Sequence, residues 1–252
     1  MTSVEASQSC PACASPTDAS HSFCPNCGTK LSQRTAERTY RWKTRYKQRV
    51  LVSIGIIVFY ILGQYLLFKT DLPLPPLSSD LFFFLLVAAA SAYYSADLKG
   101  AWKGARKTLK GKTLLYLLTQ VLFSFLVFYG MEALRSYFGA ELLLDPLEKY
   151  RSYSRPILAA FLSLAVFPPL TEELGFRGLL FGQLSELTNP SVIILTTSFL
   201  FAWVHFRFLS LPWLFLEGIY LGWIRHREGT IWPCILCHSL HNGLALFWVM
   251  SS

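Results

Sequence analysis

The sequence is poor in charged residues. Only 15% of its 252 residues are Asp, Glu, Lys or Arg, whereas 53% are hydrophobic. Because a soluble globular domain carries about 25% charged residues, this composition excludes a wholly soluble fold. It predicts long segments that lie in lipid, and therefore an integral membrane protein.

Acidic residues are scarcer than basic ones, and the formal net charge is +8. The basic residues gather beside apolar runs, at 30–49 and 99–112, as on the cytoplasmic flanks of membrane helices. No nucleic-acid recognition motif accompanies them, so we expect no nucleic-acid partner. The first 49 residues also lack the apolar run of a secretory signal, which predicts a cytoplasmic N-terminus.

The composition divides the chain into three regions. Residues 1–30 contain four of the six cysteines, and residues 31–49 predict a basic linker at the lipid headgroups. Residues 50–252 predict an all-α polytopic membrane bundle of about seven hydrophobic helices. The segments apolar enough for these helices are 50–68, 81–96, 114–130, 157–170, 191–206, 211–224 and 231–249.

The first region carries two Cys-x-x-Cys pairs, Cys10 with Cys13 and Cys24 with Cys27. Each spacing lets a tight turn direct two thiolates at one ion, and two pairs complete a tetrahedral Zn²⁺ site. We predict a structural zinc ribbon whose folding energy comes from the metal, with a redox dithiol or an unstructured tail as the alternatives. The segment resembles the minimal zinc ribbons of many prokaryotic proteins, which indicates a prokaryotic plasma membrane and a protein partner for the ribbon.

Ionisable residues inside membrane segments usually mark function, and here they lie in three clusters, two of which also contain an uncharged residue. The clusters are Glu172, Glu173 and Arg177; Phe201 and His205; and His238, His241 and Asn242. Spacings of i, i+4 place the paired members on one helix face. Together the clusters provide a carboxylate base, imidazoles and an amide donor, which are the groups needed to activate water and stabilise an oxyanion.

The first cluster also predicts its own local structure. Pro168 and Pro169 should break the preceding helix, and Thr171 should cap a new one. Glu173 and Arg177 are spaced to form an ion pair. Glu172 points about 100° away from Glu173 around the helix and is free to act elsewhere.

The order Glu-Glu-x-x-x-Arg, Phe-x-x-x-His and His-x-x-x-Asn resembles the CPBP family of intramembrane endopeptidases. This is the CAAX-protease and bacteriocin-processing group, also called Abi, and the resemblance covers about 154–249. It implies that Glu172 activates the attacking water and that Glu173 and Arg177 are its motif partners. It also implies that His205, His238 and Asn242 stabilise the transition state or bind a metal. The amide of Asn242 would help to bind the oxyanion.

The resemblance implies a peptide or membrane-protein substrate, and it leaves the metal requirement open. Family members are often described as metalloendopeptidases, so the resemblance predicts that class here, and His205 and His238 with a glutamate could hold a divalent ion. The same histidines could also polarise the substrate carbonyl without a metal.

Other interpretations fit the sequence less well. A membrane scaffold or bacteriocin-immunity protein would use the same fold for binding only, and a transporter would usually show internal repeats, which are absent here. Cys234, Cys237 and His238 match a haem-attachment pattern, but His238 already belongs to the third motif. Glu217 belongs to no motif, and it could line the catalytic cavity or pair with Arg207 or a backbone group.

Overall fold

The computed structural model describes residues 8–10, 12–17, 24, 26–29, 47–63, 66, 76–93, 111–138, 148–185, 187–205 and 208–251. The chain divides into two compact units, Met1–Arg49 and Val50–Ser252. Most of the predicted basic linker and nearly all of the basic run at 99–112 lie outside the described residues.

The described elements confirm the predicted all-α membrane bundle with a small cysteine-bearing module before it. The described part of each of the seven predicted segments overlaps one helix, whereas residues 64–65, 67–68, 94–96 and 206 of these segments lie outside the described residues. The elements are β1 (Gln8–Ser9), β2 (Pro16–Thr17), α1 (47–63), α2 (Pro76–Tyr93), α3 (Gly111–Phe138), a 3-10 turn (Glu148–Tyr150), α4 (Pro156–Leu184), α5 (Pro190–Trp203), α6 (Leu211–Glu228) and α7 (Trp232–Ser251).

Three of the described helices are long and apolar enough to cross a membrane. They are Lys112–Leu134, Pro156–Leu184 and Trp232–Ser251, and two shorter apolar helices are Leu77–Ala90 and Pro190–Trp203. Many of their large hydrophobic side chains are exposed, as expected for a surface in contact with lipid.

The cysteine module is built from two similar turns. The backbone N–H of Ala14 donates to the carbonyl of Cys10, and that of Gly28 donates to Cys24, both at 2.9 Å. Each turn ends in the left-handed region, with φ of 55° at Ala14 and 69° at Gly28. Glycine adopts this conformation without steric cost, which explains Gly28 after the second pair.

Helix α4 corrects the prediction that Pro168 and Pro169 end a helix. The helix continues from Pro156 to Leu184. Thr171 does not cap a new helix either, because its Oγ1 donates to the carbonyl of Phe167, one turn earlier, at 2.8 Å.

The prolines are accommodated by a π-helical stretch and a donor from another helix. Residues Leu162–Val166 form the π-helix just before the prolines. Proline has no N–H, so the carbonyl of Leu164 loses a donor from the following turn. Asn242 of α7 replaces it, with Nδ2 donating to that carbonyl at 2.9 Å. A neighbouring helix can thus restore backbone hydrogen bonding inside a membrane bundle.

Helices α5 and α6 approach closely because α6 presents two glycines to α5. A Cβ on Gly218 would lie 2.8 Å from the Cα of Ser198, and one on Gly222 would lie 3.2 Å from Cγ2 of Ile194. The first neighbour is main chain and cannot move alone, whereas the second is the end of a side chain. This contact fixes the position of α6 beside the candidate site.

Gly218→Ala is therefore expected to destabilise the protein by about 1–3 kcal/mol, because its methyl group would push α6 away from α5. Gly222→Ala should cost less. Gly55→Ala is the control, since nothing lies within 4 Å of its Cβ position. Thermal unfolding in detergent measures the three variants, and equal losses for Gly218→Ala and Gly55→Ala would contradict the close packing.

Candidate active site

The centre of the site is a buried ion pair within α4. Nη1 of Arg177 donates to Oε1 of Glu173 at 2.8 Å, and both side chains are 0% exposed. This confirms the ion pair predicted from their i, i+4 spacing. Nδ1 of His238, on α7, lies 3.0 Å from the same carboxylate oxygen. Because an ionised carboxylate only accepts hydrogen bonds, this contact places a proton on Nδ1 of His238.

Glu172 faces two imidazoles rather than the ion pair. Its Oε2 lies 3.9 Å from Nε2 of His205 and 3.9 Å from Nε2 of His238. The Glu172 side chain is 12% exposed, and its Oε2 has no hydrogen-bond partner among the described residues. The two neighbouring glutamates therefore have different surroundings, as their angular separation predicted.

The tautomers of both histidines follow from their other contacts. Nδ1 of His205 lies 2.7 Å from the carbonyl oxygen of Phe201, which can only accept, so this nitrogen carries the proton. Nδ1 of His238 donates to Glu173 in the same way. In the neutral rings, both Nε2 atoms then present lone pairs toward Oε2 of Glu172. With Oε2 of Glu172 they make three acceptors around one small space, and a water molecule can donate to two of them at a time.

Phe201 links the parts of the site. Its ring is fully buried and lies 4.5 Å below the guanidinium carbon of Arg177. The same ring packs edge to face against His205 and His238, with centroid distances of 5.0 and 5.5 Å. The aromatic residue of the Phe-x-x-x-His motif therefore orients both imidazoles and contacts the cation of the ion pair.

The remaining residues of the third cluster, His241 and Asn242, have hydrogen-bond partners outside this space. Asn242 uses an amide N–H on the carbonyl of Leu164, so the structure does not direct that donor at Glu172. His241 lies 2.8 Å, through Nδ1, from Oγ of Ser124 on α3. Five of the six predicted catalytic residues therefore come together, and Asn242 contacts the main chain of α4 beside them.

Two partners of the predicted residues were not identified from the sequence. Tyr60 of α1 is buried, and its hydroxyl interacts with the Glu172 carboxylate. An aromatic residue in a membrane segment is ordinary, so nothing marked it. Gln120 of α3 donates to Glu217 at 3.0 Å. The sequence feature that could have indicated Gln120 is an amide side chain inside the apolar run 114–130.

The four N-terminal cysteines form a compact cluster in which all Sγ atoms lie within 4.8 Å of one another. Sγ of Cys10 is 3.6 Å from that of Cys27, and Sγ of Cys13 is 3.6 Å from that of Cys24. Hydrogen bonds from Ser15 lower the pKa of the Cys13 thiol to about 6, which favours the thiolate that binds metals. This donor set fits one tetrahedral Zn²⁺ ion.

Comparison with known proteins covers the part of the chain that contains the three motifs. Residues 154–244 match the family model described as Type II CAAX prenyl endopeptidase Rce1-like. UPF0177 protein YxdF of Lactococcus lactis subsp. lactis (strain IL1403) is 37% identical over 89 residues, which are 34% of this chain and 48% of that protein.

UPF0177 protein YaiH of the same strain is 26% identical over 150 residues, which are 58% of this chain and 61% of that protein. The matches thus span about half to three-fifths of the length of these curated relatives. No solved structure matches the chain significantly.

The helical bundle, its apolar surface and the matched segment define a membrane protein with a CAAX-type intramembrane protease fold. Residues 154–244 thus form an Rce1-like segment, which confirms the resemblance to the CPBP family read from the three motifs.

Proposed function

We propose that the protein is an intramembrane endopeptidase in which Glu172 activates water for attack on a peptide bond. The observation that carries this proposal is the convergence of Oε2 of Glu172 with the Nε2 atoms of His205 and His238, each 3.9 Å away. A water that donates to Oε2 of Glu172 at this place has a base beside it, and the burial of His238 and most of Glu172 limits competition from bulk water.

The proposed reaction uses the side chains in sequence. Glu172 takes a proton as the water oxygen attacks the carbonyl carbon, and it later transfers that proton to the leaving amide nitrogen. Each imidazole that has taken up a solvent proton on Nε2 donates from this atom to the substrate carbonyl oxygen and then to the oxyanion, while the water donates to Glu172. The Glu173 carboxylate, on Nδ1 of His238, favours the protonated ring, and Arg177 holds that carboxylate in place.

A divalent metal held by Glu172, His205 and His238 would supply a Lewis acid at the same place. In the part of the chain that the structure describes, however, only the four cysteines bring three or more ligand atoms within 4.8 Å of one another. Glu172 and the two histidines do not converge this closely, so we propose the metal-free form of the reaction. A metalloendopeptidase remains a prediction that metal analysis tests.

The substrate that we propose is a peptide or a membrane protein, cleaved within or beside the bilayer. The direct experiment maps peptide termini in membranes of a deletion strain that carries either the wild type or Glu172→Gln. New termini should appear only with the wild type. Identical termini in both strains would contradict the enzyme and favour the binding-only scaffold.

We propose that the protein lies in a prokaryotic plasma membrane with its cysteine module in the cytoplasm. The basic residues at 30–49 and 99–112 support this orientation, and Arg225 and Arg227 in the last turn of α6 fall on the same side of the proposed topology. Reporter fusions after residues 1–30 and 69–75 should report opposite sides of the membrane.

The purified full-length protein is expected to contain one tightly bound zinc ion, held by the cysteine module. Replacing Cys10 and Cys13 with serine removes two of the four ligands and should abolish the bound zinc. A His205→Gln and His238→Gln double variant is the matched control and should retain it. Elemental analysis measures the result, and loss of zinc in the histidine variant would instead place a metal at Glu172.

A further inference from the structure

A second buried polar pair lies beside the candidate active site, outside its motifs. Gln120 of α3 is fully buried, and Glu217 of α6 is 3% exposed. Nε2 of Gln120 donates to Oε2 of Glu217 at 3.0 Å. The other side-chain oxygens, Oε1 of both residues, are buried without a hydrogen-bond partner among the described residues. One additional proton, carried by Glu217, would give both oxygens a partner.

The surroundings of Glu217 disfavour a second buried negative charge. Glu173 and Arg177 already neutralise each other at 2.8 Å. The direct hydrogen-bond partner of Glu217 is a neutral amide, and a buried carboxylate without a paired cation is costly. The titratable groups that interact with it are Glu173 and Arg177 on α4, His238 and Cys237 on α7, and Tyr220 on α6.

Glu217 is also joined to the active site through the next residue. The carbonyl of Gly218 accepts a hydrogen bond from Nη2 of Arg177 at 3.1 Å. The position of that carbonyl depends on how α6 sits in the bundle, and the contact with Gln120 ties α6 to α3 at this level. Arg177 in turn holds Glu173, which contacts His238.

We propose that Glu217 is an uncharged carboxylic acid that pairs with Gln120 and positions Arg177. Oε1 of Glu217 donates its proton to Oε1 of Gln120, which closes a ring of two hydrogen bonds between α6 and α3. Glu217 is therefore a positioning residue, and its effect on cleavage rests on the proposed function. Gln120 lies outside the Rce1-like segment at 154–244, so α3 contributes to the site from beyond the matched segment.

Infrared difference spectroscopy tests the protonation state of Glu217 without any substrate. The wild type minus Glu217→Gln spectrum at neutral pH should contain the carbonyl band of a protonated carboxylic acid. Glu132→Gln, which changes a partly exposed carboxyl group on α3, is the control and should leave this band unchanged. A carboxylate band in place of the acid band in the Glu217→Gln difference would overturn the proposal.

Cleavage and unfolding measurements test the positioning role. Glu217→Gln can form the same two hydrogen bonds as an amide pair and should stay close to the wild type in both. Glu217→Leu and Gln120→Leu each leave a buried polar partner unsatisfied, and each should lower cleavage about tenfold. If Glu217→Gln lost as much cleavage activity as Glu217→Leu, the proposal would be overturned, because charge or proton transfer at Glu217 would then be required.

These experiments separate the two proposals. If Glu172→Gln cleaves like the wild type but the acid band is present, the proposed catalytic role fails and the protonated pair stands. If Glu172→Gln is inactive and the acid band is absent, the catalytic proposal stands and the pairing of Glu217 with Gln120 as an acid and an amide fails.

Discussion

Glu172→Gln is expected to slow peptide cleavage by about 10²–10⁴-fold, because the amide cannot accept a proton from water. The protein should remain folded, since Oε2 of Glu172 has no hydrogen-bond partner among the described residues. We expect the loss in kcat, with KM nearly unchanged. Cleavage of a peptide identified by terminus mapping, measured in membranes, gives both constants.

Glu132→Gln makes the same chemical change on α3 and serves as the control for Glu172→Gln. It should retain the wild-type rate, because Glu132 is partly exposed and lies outside the three motifs. The thermal unfolding temperatures of both variants should match that of the wild type. A rate for Glu172→Gln within a few-fold of the wild type would show that another group activates the water.

Arg177→Met is expected to destabilise the protein by about 3–5 kcal/mol, because it leaves the buried Glu173 carboxylate without its cation. Both side chains are 0% exposed, so water cannot replace the lost partner. The variant also removes the hydrogen bond to the Gly218 carbonyl and the contact with the ring of Phe201. Chemical unfolding in detergent micelles measures the change.

The double variant Glu173→Gln and Arg177→Met separates loss of the ion pair from loss of packing. It removes the unpaired charge, so it should recover much of the stability lost in Arg177→Met. Cleavage should stay low, because Nδ1 of His238 then lacks its carboxylate partner. If the double variant were as unstable as Arg177→Met, packing of the arginine rather than charge pairing would dominate.

The helical bundle and most of the site could be predicted from the sequence, because both follow from local spacing. Apolar runs predicted each of the seven helices in the described part of the chain, and the i, i+4 spacing of Glu173 and Arg177 predicted a pair that the structure shows at 2.8 Å. The separate orientation of Glu172 followed from helix geometry alone. These features depend on one helix at a time.

Features that depend on two helices could not be predicted in this way. Pro168 and Pro169 were expected to end a helix, but a donor from Asn242, far along the chain, restores the hydrogen bonding of Leu164. The pairing of Gln120 with Glu217 depends on the relative position of α3 and α6, which side-chain packing sets. Hydrophobic periodicity contains no information about that position.

The most direct test of the central claim is cleavage of the mapped peptide in water enriched in heavy oxygen. If Glu172 activates water, the new carboxyl terminus should carry one oxygen atom from the solvent, and Glu172→Gln should produce almost no labelled product. Labelled product formed by Glu172→Gln at the wild-type rate would contradict the assignment of Glu172 as the base.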